Sequence, residues 1–96
     1  MNKGYFIAHF TVTDPNAFGE YVRAADEAVK EFDPKVIAWS GQFENLEGEH
    51  HEQHMIFEFK TYEDAKKFYE SPAYQAAKII RLRSASGIFT LVEGTE

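Results

Sequence analysis

The 96-residue sequence contains no cysteine, and that absence removes disulfides, thiolate nucleophiles and thiolate metal sites together. It holds no apolar run near the roughly 20 residues that a membrane-spanning helix needs. The first ten residues, Met-Asn-Lys-Gly-Tyr-Phe-Ile-Ala-His-Phe, carry too short an apolar stretch for a signal peptide. A cytoplasmic protein with no membrane partner is therefore expected. Positive charge is scarce: 10 Lys and Arg stand against 16 Asp and Glu, for a formal net charge of -6. Binding to phosphate backbones rests on clustered Lys and Arg, so nucleic acid is not an expected partner. There is also no glycine-rich phosphate loop, nucleotide fingerprint or serine-nucleophile elbow, and no cofactor is expected.

What is present suffices for a core. The chain is 44% hydrophobic and 16% aromatic, the balance of a globular domain, and nothing in it marks a linker or repeat, so residues 1–96 are expected to form a single domain. Phe6, Ala8, Phe10 and Val12 alternate with Tyr5, Ile7, His9 and Thr11, which predicts a strand with one apolar and one mixed face. Asp14-Pro15 reads as an N-cap with proline in the first turn. Phe18, Tyr21, Val22, Ala25, Ala28, Val29 and Phe32 then trace one stripe of a helix that Asp33-Pro34 ends.

A second strand is expected over 36–43, with Val36 on the mixed face and a bulge or close approach at Gly41. The acidic stretch 44–52 reads as a long hairpin connection. Residues 53–60 form a third strand, with Met55, Phe57 and Phe59 on its apolar face and His54, Ile56 and Glu58 on its mixed face. Thr61 and Asp64 resemble a helix-starting box. A short helix with Tyr62, Ala65, Phe68 and Tyr69 inward follows, and Ser71-Pro72 restarts it with Ala73, Ala76, Ala77 and Ile80 toward the core. Gly87 is expected to release that helix into a last strand over 88–92.

Strand, helix, strand, strand, helix, strand, joined by right-handed crossovers, is the α+β ferredoxin-like βαββαβ arrangement: an antiparallel four-stranded sheet in the order 4-1-3-2 with its helices on one face. The face without helices carries Ile7, Ile56, Ile88, Val36 and Val92 beside Tyr5, His9, His54 and Glu58. That surface is too apolar to face water. A homodimer packed face to face, a dimeric α+β barrel, is the simplest solution.

Two clusters carry candidate chemistry. His9, His54 and Glu58 share the open face, and a histidine oriented by a carboxylate is the usual build of a general base. These are the candidate catalytic residues. Tyr74, Lys78 and Arg81 stack along one helix edge at steps of four and three, where an arginine fork suits a carboxylate, phosphate or enolate. With Tyr5 they are the candidate ligand-binding residues at the mouth of a barrel pocket. His50, His51 and His54 look like a metal cluster, but a strand would put His51 opposite the other two, and no metal site is expected. Phe57 and Phe59 fall on the helix-covered face, which argues against an RNA-recognition sheet.

The chain resembles the DUF1330 family, small proteins of undetermined function with the dimeric α/β-barrel architecture of antibiotic-biosynthesis-type monooxygenases. The resemblance rests on Lys3-Gly4-Tyr5-Phe6 with Val12-Thr13-Asp14-Pro15, on Tyr21, Leu46-Glu47-Gly48, Glu58-Phe59 and Thr61-Tyr62-Glu63. It continues through Ser71-Pro72-Ala73-Tyr74-Gln75-Ala76-Ala77-Lys78, Arg81 and Leu91-Val92-Glu93-Gly94. Trp39-Ser40-Gly41 departs from it, since family members often carry an arginine before a glycine pair there. The resemblance implies the fold and the dimer, with no assigned substrate. The expected function is binding of a small anionic or aromatic metabolite, with cofactor-independent acid/base or monooxygenase-type chemistry as its enzymatic form. The alternative is a non-catalytic dimer whose polar interior specifies pairing.

Overall fold

The structure, a computed structural model, describes residues 2–95. Its elements run β1 (Gly4–Val12), α1 (Pro15–Phe32), β2 (Lys35–Trp39), β3 (Gln53–Phe59), α2 (Tyr62–Glu70), α3 (Pro72–Leu82) and β4 (Ala85–Glu93). The sheet order β2-β3-β1-β4 is the expected ferredoxin-like order counted from the other edge, and all three pairings are antiparallel.

Local chemistry sets the helix starts. Asp14 accepts from the Ala17 amide, Thr61 from Asp64 and Ser71 from Tyr74, each side-chain oxygen satisfying an amide with no intrahelical partner. Ser71 is both the end of α2 and the cap of α3, so two short helices meet at one residue. The α1 helix ends where Asp33-Pro34 predicts, with Asp33 in the left-handed region at φ 47° and its amide bonded to the Val29 carbonyl.

Several expectations change. The strand expected over 36–43 stops at Trp39, because Ser40 takes φ 56° and turns the chain out of the ladder. The irregularity lies not at Gly41 but between Val36 and Ala38. Val36 therefore pairs with Phe57, on the helix side, rather than lying on the open face. Gly87 does not release α3; it sits inside β4 opposite Phe10, where a Cβ would come within 2.2 Å of the His9 carbonyl oxygen. The chain leaves α3 through Arg83 and Ser84, whose amides bond back to Ile80 and Arg81 carbonyls.

The core lies between sheet and helices. Phe6, Ala8 and Phe10 of β1 and Met55, Phe57 and Phe59 of β3 meet Tyr21, Ala25 and Ala28 of α1, Phe68 of α2 and Tyr74 of α3. Ala76 of α3 is exposed; the inward stripe of that helix is Tyr74, Ala77 and Arg81. Among the described residues no helix is long and apolar enough to cross a membrane.

Candidate functional site

The β1–β3 register sets His9 directly opposite His54 on the open face, and their Nδ1 atoms lie 2.7 Å apart. The Nε2 of His54 is 3.0 Å from the His51 carbonyl oxygen. A carbonyl only accepts, so His54 donates from Nε2 and, when neutral, accepts at Nδ1 from the Nδ1–H of His9. That leaves Nε2 of His9 with a free lone pair. The arrangement is a proton acceptor backed by a second imidazole, although His9 itself remains exposed.

Behind it stands His51, which is 3% exposed. Its Nε2 meets the Glu49 carboxylate at 2.5 Å and its Nδ1 the Thr11 hydroxyl at 3.1 Å. Asn45 clamps its backbone, with Nδ2 donating to the His51 carbonyl at 3.0 Å and Oδ1 accepting its amide at 3.4 Å. The acidic connection is thus fastened to the sheet by one histidine. Phe43 covers the His54 ring at a centroid distance of 4.6 Å. Periodicity could not find His51 as a partner, since the loop that carries it has none; its spacing three residues before His54 was the available signal.

Glu58 is not part of this cluster. It lies four residues along β3 from His54, about 13 Å at strand rise. It pairs in register with Tyr5 and accepts an ion pair from Lys3 at 2.9 Å. The carboxylate that orients a histidine is Glu49, and the histidine it orients is His51. Tyr5 lies on the open face, half-buried, with the Gly94 backbone close beside its ring.

Tyr74, Lys78 and Arg81 do not form an exposed edge. Tyr74 is 1% exposed and Arg81 4%, both turned into the helix-side core, while the Lys78 ammonium sits 5.2 Å from the Tyr69 ring centroid. The Tyr74 hydroxyl meets that of Tyr21 at 2.9 Å. Burial pushes both phenols above their ordinary range, with the nearby Arg81 charge opposing the shift. Both remain neutral hydroxyls at any physiological pH. Tyr21 was legible only as a core residue on the α1 stripe, because its hydroxyl partner lies 53 residues away.

Those two tyrosines line a cavity of about 110 Å³ between α1 and the sheet. Phe6, Phe10, Phe57, Phe68 and Phe89 give it an aromatic wall, and Val22, Asp26 and Trp39 reach it from the surface beside β2. The single pocket expected from the sequence is therefore two places. The sheet lies between the two: His9, at an odd position of β1, faces the open side with His54 of β3, whereas Phe6 and Phe10, at even positions of β1, face the cavity.

Residues 3–95 match the family described as "Domain of unknown function (DUF1330)". The chain belongs to the DUF1330 family. No curated protein matches it. Among solved structures, the RPA0582 protein of unknown function from Rhodopseudomonas palustris superposes with a TM-score of 0.78 at 16% identity, over 99% of this chain and 84% of that one. SnoaB, a cofactor-independent oxygenase from Streptomyces nogalater, gives a TM-score of 0.66 at 10% identity, covering 100% and 96%. A dimeric ferredoxin-like protein of unknown function from Thermobifida fusca gives 0.62 at 12% identity, covering 96% and 91%. These likenesses establish the fold of this DUF1330 chain.

Among the described residues of this DUF1330 protein no three His, Asp or Glu side chains are placed to hold a metal ion. His51, the middle member of the look-alike cluster, is occupied by Thr11 and Glu49.

The His9 imidazolium is held below the ordinary histidine value, first by desolvation against the sheet and then by the neighbouring His54 and His51. The unfolded chain therefore takes up this proton more readily than the folded one, and stability declines as pH falls below about 6.5 and recovers above it. Urea midpoints of wild type and His9→Gln, followed from about pH 7.5 to about pH 5, should show a shallower decline in the variant. The difference is small because His9 is exposed. Parallel profiles would contradict the assignment.

Proposed function

We propose that the protein is a homodimer, its open sheet faces packed together, and that each protomer binds one small aromatic molecule in the cavity beneath α1. The observation that carries the binding role is the cavity itself. Close-packed interiors leave few voids larger than a water molecule, and this one is walled by aromatic rings, reaches the surface at Trp39 and holds a hydroxyl pair. An apolar site with a few convergent polar groups is the usual form of a small-molecule pocket. A void of about 150 Å³ takes a single benzene ring, so a cavity of about 110 Å³ with an open mouth suits one ring.

The face-to-face dimer is supported by what the open side displays. Ile88 is 49% exposed and Val92 42%, on the strand beside β1, while Phe43 and Leu46 of the β2–β3 connection add exposed apolar surface. The Thermobifida fusca protein of the same fold is described as dimeric. Light scattering at micromolar concentration should give twice the 11.0 kDa chain mass, and Ile88→Asp should shift it toward the monomer. A monomeric wild type would refute the dimer.

The binding role is tested by titrating benzyl alcohol into the labelled protein and following amide shifts. Residues lining the cavity, such as Ala25, Phe57 and Phe89, should move, and Ala25→Leu, which fills the space, should abolish the response. Absence of shifts at millimolar ligand, or an unchanged response in Ala25→Leu, would overturn it.

A second function has its own supporting observation. The exposed Nε2 of His9, backed by His54, is built to accept a proton, which supports acid/base chemistry on the open face for a molecule held between protomers. SnoaB, of the same fold, is described as a cofactor-independent oxygenase. Loss of turnover in both His9→Gln and His54→Gln, with the dimer intact, is the expected result once a reactive substrate is found. The non-catalytic alternative, a polar interior that only specifies pairing, predicts dimer loss instead.

A further inference from the structure

Arg81 is the least satisfied group in the described molecule. Its side chain is almost wholly buried, and its Nε and Nη1 find no hydrogen-bond partner. Among the described residues no carboxylate forms an ion pair with it. An isolated buried charge is strongly unfavourable unless paired. Phe89 offsets part of this, its ring centroid 3.6 Å from the guanidinium carbon, and Tyr74 contributes at 5.9 Å. Position in the last turn of α3 adds the favourable pole of the helix. Both effects act on the charge, whereas the N–H bonds of Nε and Nη1 stay unmatched.

Phe89 and Tyr74, the two rings against this guanidinium, both line the cavity beneath α1. Of the Tyr21–Tyr74 hydroxyl pair, one phenol donates to the other, and the acceptor keeps a hydrogen of its own to donate. The void thus has an aromatic wall and a hydroxyl pair in its lining, and a cation without a counter-ion directly behind two of its rings, Phe89 and Tyr74. We infer that the occupant is an aromatic molecule bearing an anionic oxygen, a carboxylate or a phenolate, which accepts from the tyrosine pair while Arg81 supplies the counter-charge. The one acidic residue at the mouth, Asp26, is itself ion-paired to Lys30 at 3.0 Å, so it opposes an incoming anion weakly. Lys78, over the Tyr69 ring, takes no part.

This inference rests on the cavity being the binding site, and a matched pair of probes separates the two. Benzoate and benzamide have nearly the same shape and differ in charge. In the wild type, benzoate should bind about tenfold more tightly than benzamide, the scale of one charge-assisted hydrogen bond. Arg81→Met should remove that preference and leave benzamide affinity unchanged. Tyr21→Phe should weaken benzoate more than benzamide, which keeps the test intact if Arg81→Met does not fold, and Arg81→Lys should retain part of the preference. Equal binding of the two probes in the wild type, or an undiminished preference in Arg81→Met, would overturn the inference while leaving the cavity as an aromatic site. Failure of both probes and of benzyl alcohol would overturn the site as well.

Discussion

Phe6→Ala is expected to destabilise the fold by about 3–5 kcal/mol, the range for removing a fully buried phenylalanine ring. Phe6 is 1% exposed and sits at the centre of the aromatic core, with ring centroids of Phe68 and Tyr74 at 5.8 Å, Phe89 at 6.0 Å and Tyr69 at 6.1 Å. Because β1 is a central strand and Phe6 already borders the cavity, alanine would enlarge an existing void that its neighbours cannot collapse to fill. Phe6→Leu keeps most of the volume and should cost markedly less. Urea denaturation with a two-state fit measures both, and a loss below about 1 kcal/mol for the alanine would show that the core rearranges around the site.

Gly87→Ala should cost about 3 kcal/mol, the upper end of the usual overpacking range. The added methyl would stand 2.2 Å from the His9 carbonyl oxygen and 2.6 Å from both Cα and Cβ of Phe10. These are mostly backbone atoms of the neighbouring strand, so no flexible side chain can yield. The β1–β4 ladder must move, and His9 moves with it. Amide shifts of His9 and His54 should therefore change together with the denaturation midpoint. Gly41→Ala is the control: nothing lies within 4 Å of its added methyl, and its effect should stay within about 0.5 kcal/mol. Similar costs for the two would mean that strand contact is not what demands glycine at position 87.

These two residues also show why some features were legible and others were not. Phe6 belongs to an alternation of period two, and alternation alone places it on the buried face of a strand whatever that strand pairs with. Gly87 carries no such signal. Read locally, a glycine after a helix is a terminator; only the approach of β1 across the ladder makes it a strand residue. The same contrast runs through the histidines. That His9 and His54 share a face follows from parity, whereas their direct opposition follows from a register that the turn lengths and core packing set together.

The sequence by itself determined the order of elements, the helix starts at Asp14, Thr61 and Ser71, the parity that puts His9 and His54 on the face away from the helices, and membership of a known family. Each rests on neighbours within a few positions, where caps, alternation and helical spacing act. Tertiary structure alone decided that Val36 swings to the helix side, that Glu49 and Thr11 rather than Glu58 hold a histidine, and that Tyr74 and Arg81 point inward against Tyr21 and Phe89. Those outcomes depend on contacts between residues far apart in the chain. No local pattern distinguishes an arginine that reaches into solvent from one buried behind a cavity, because the helix edge it occupies is the same in both.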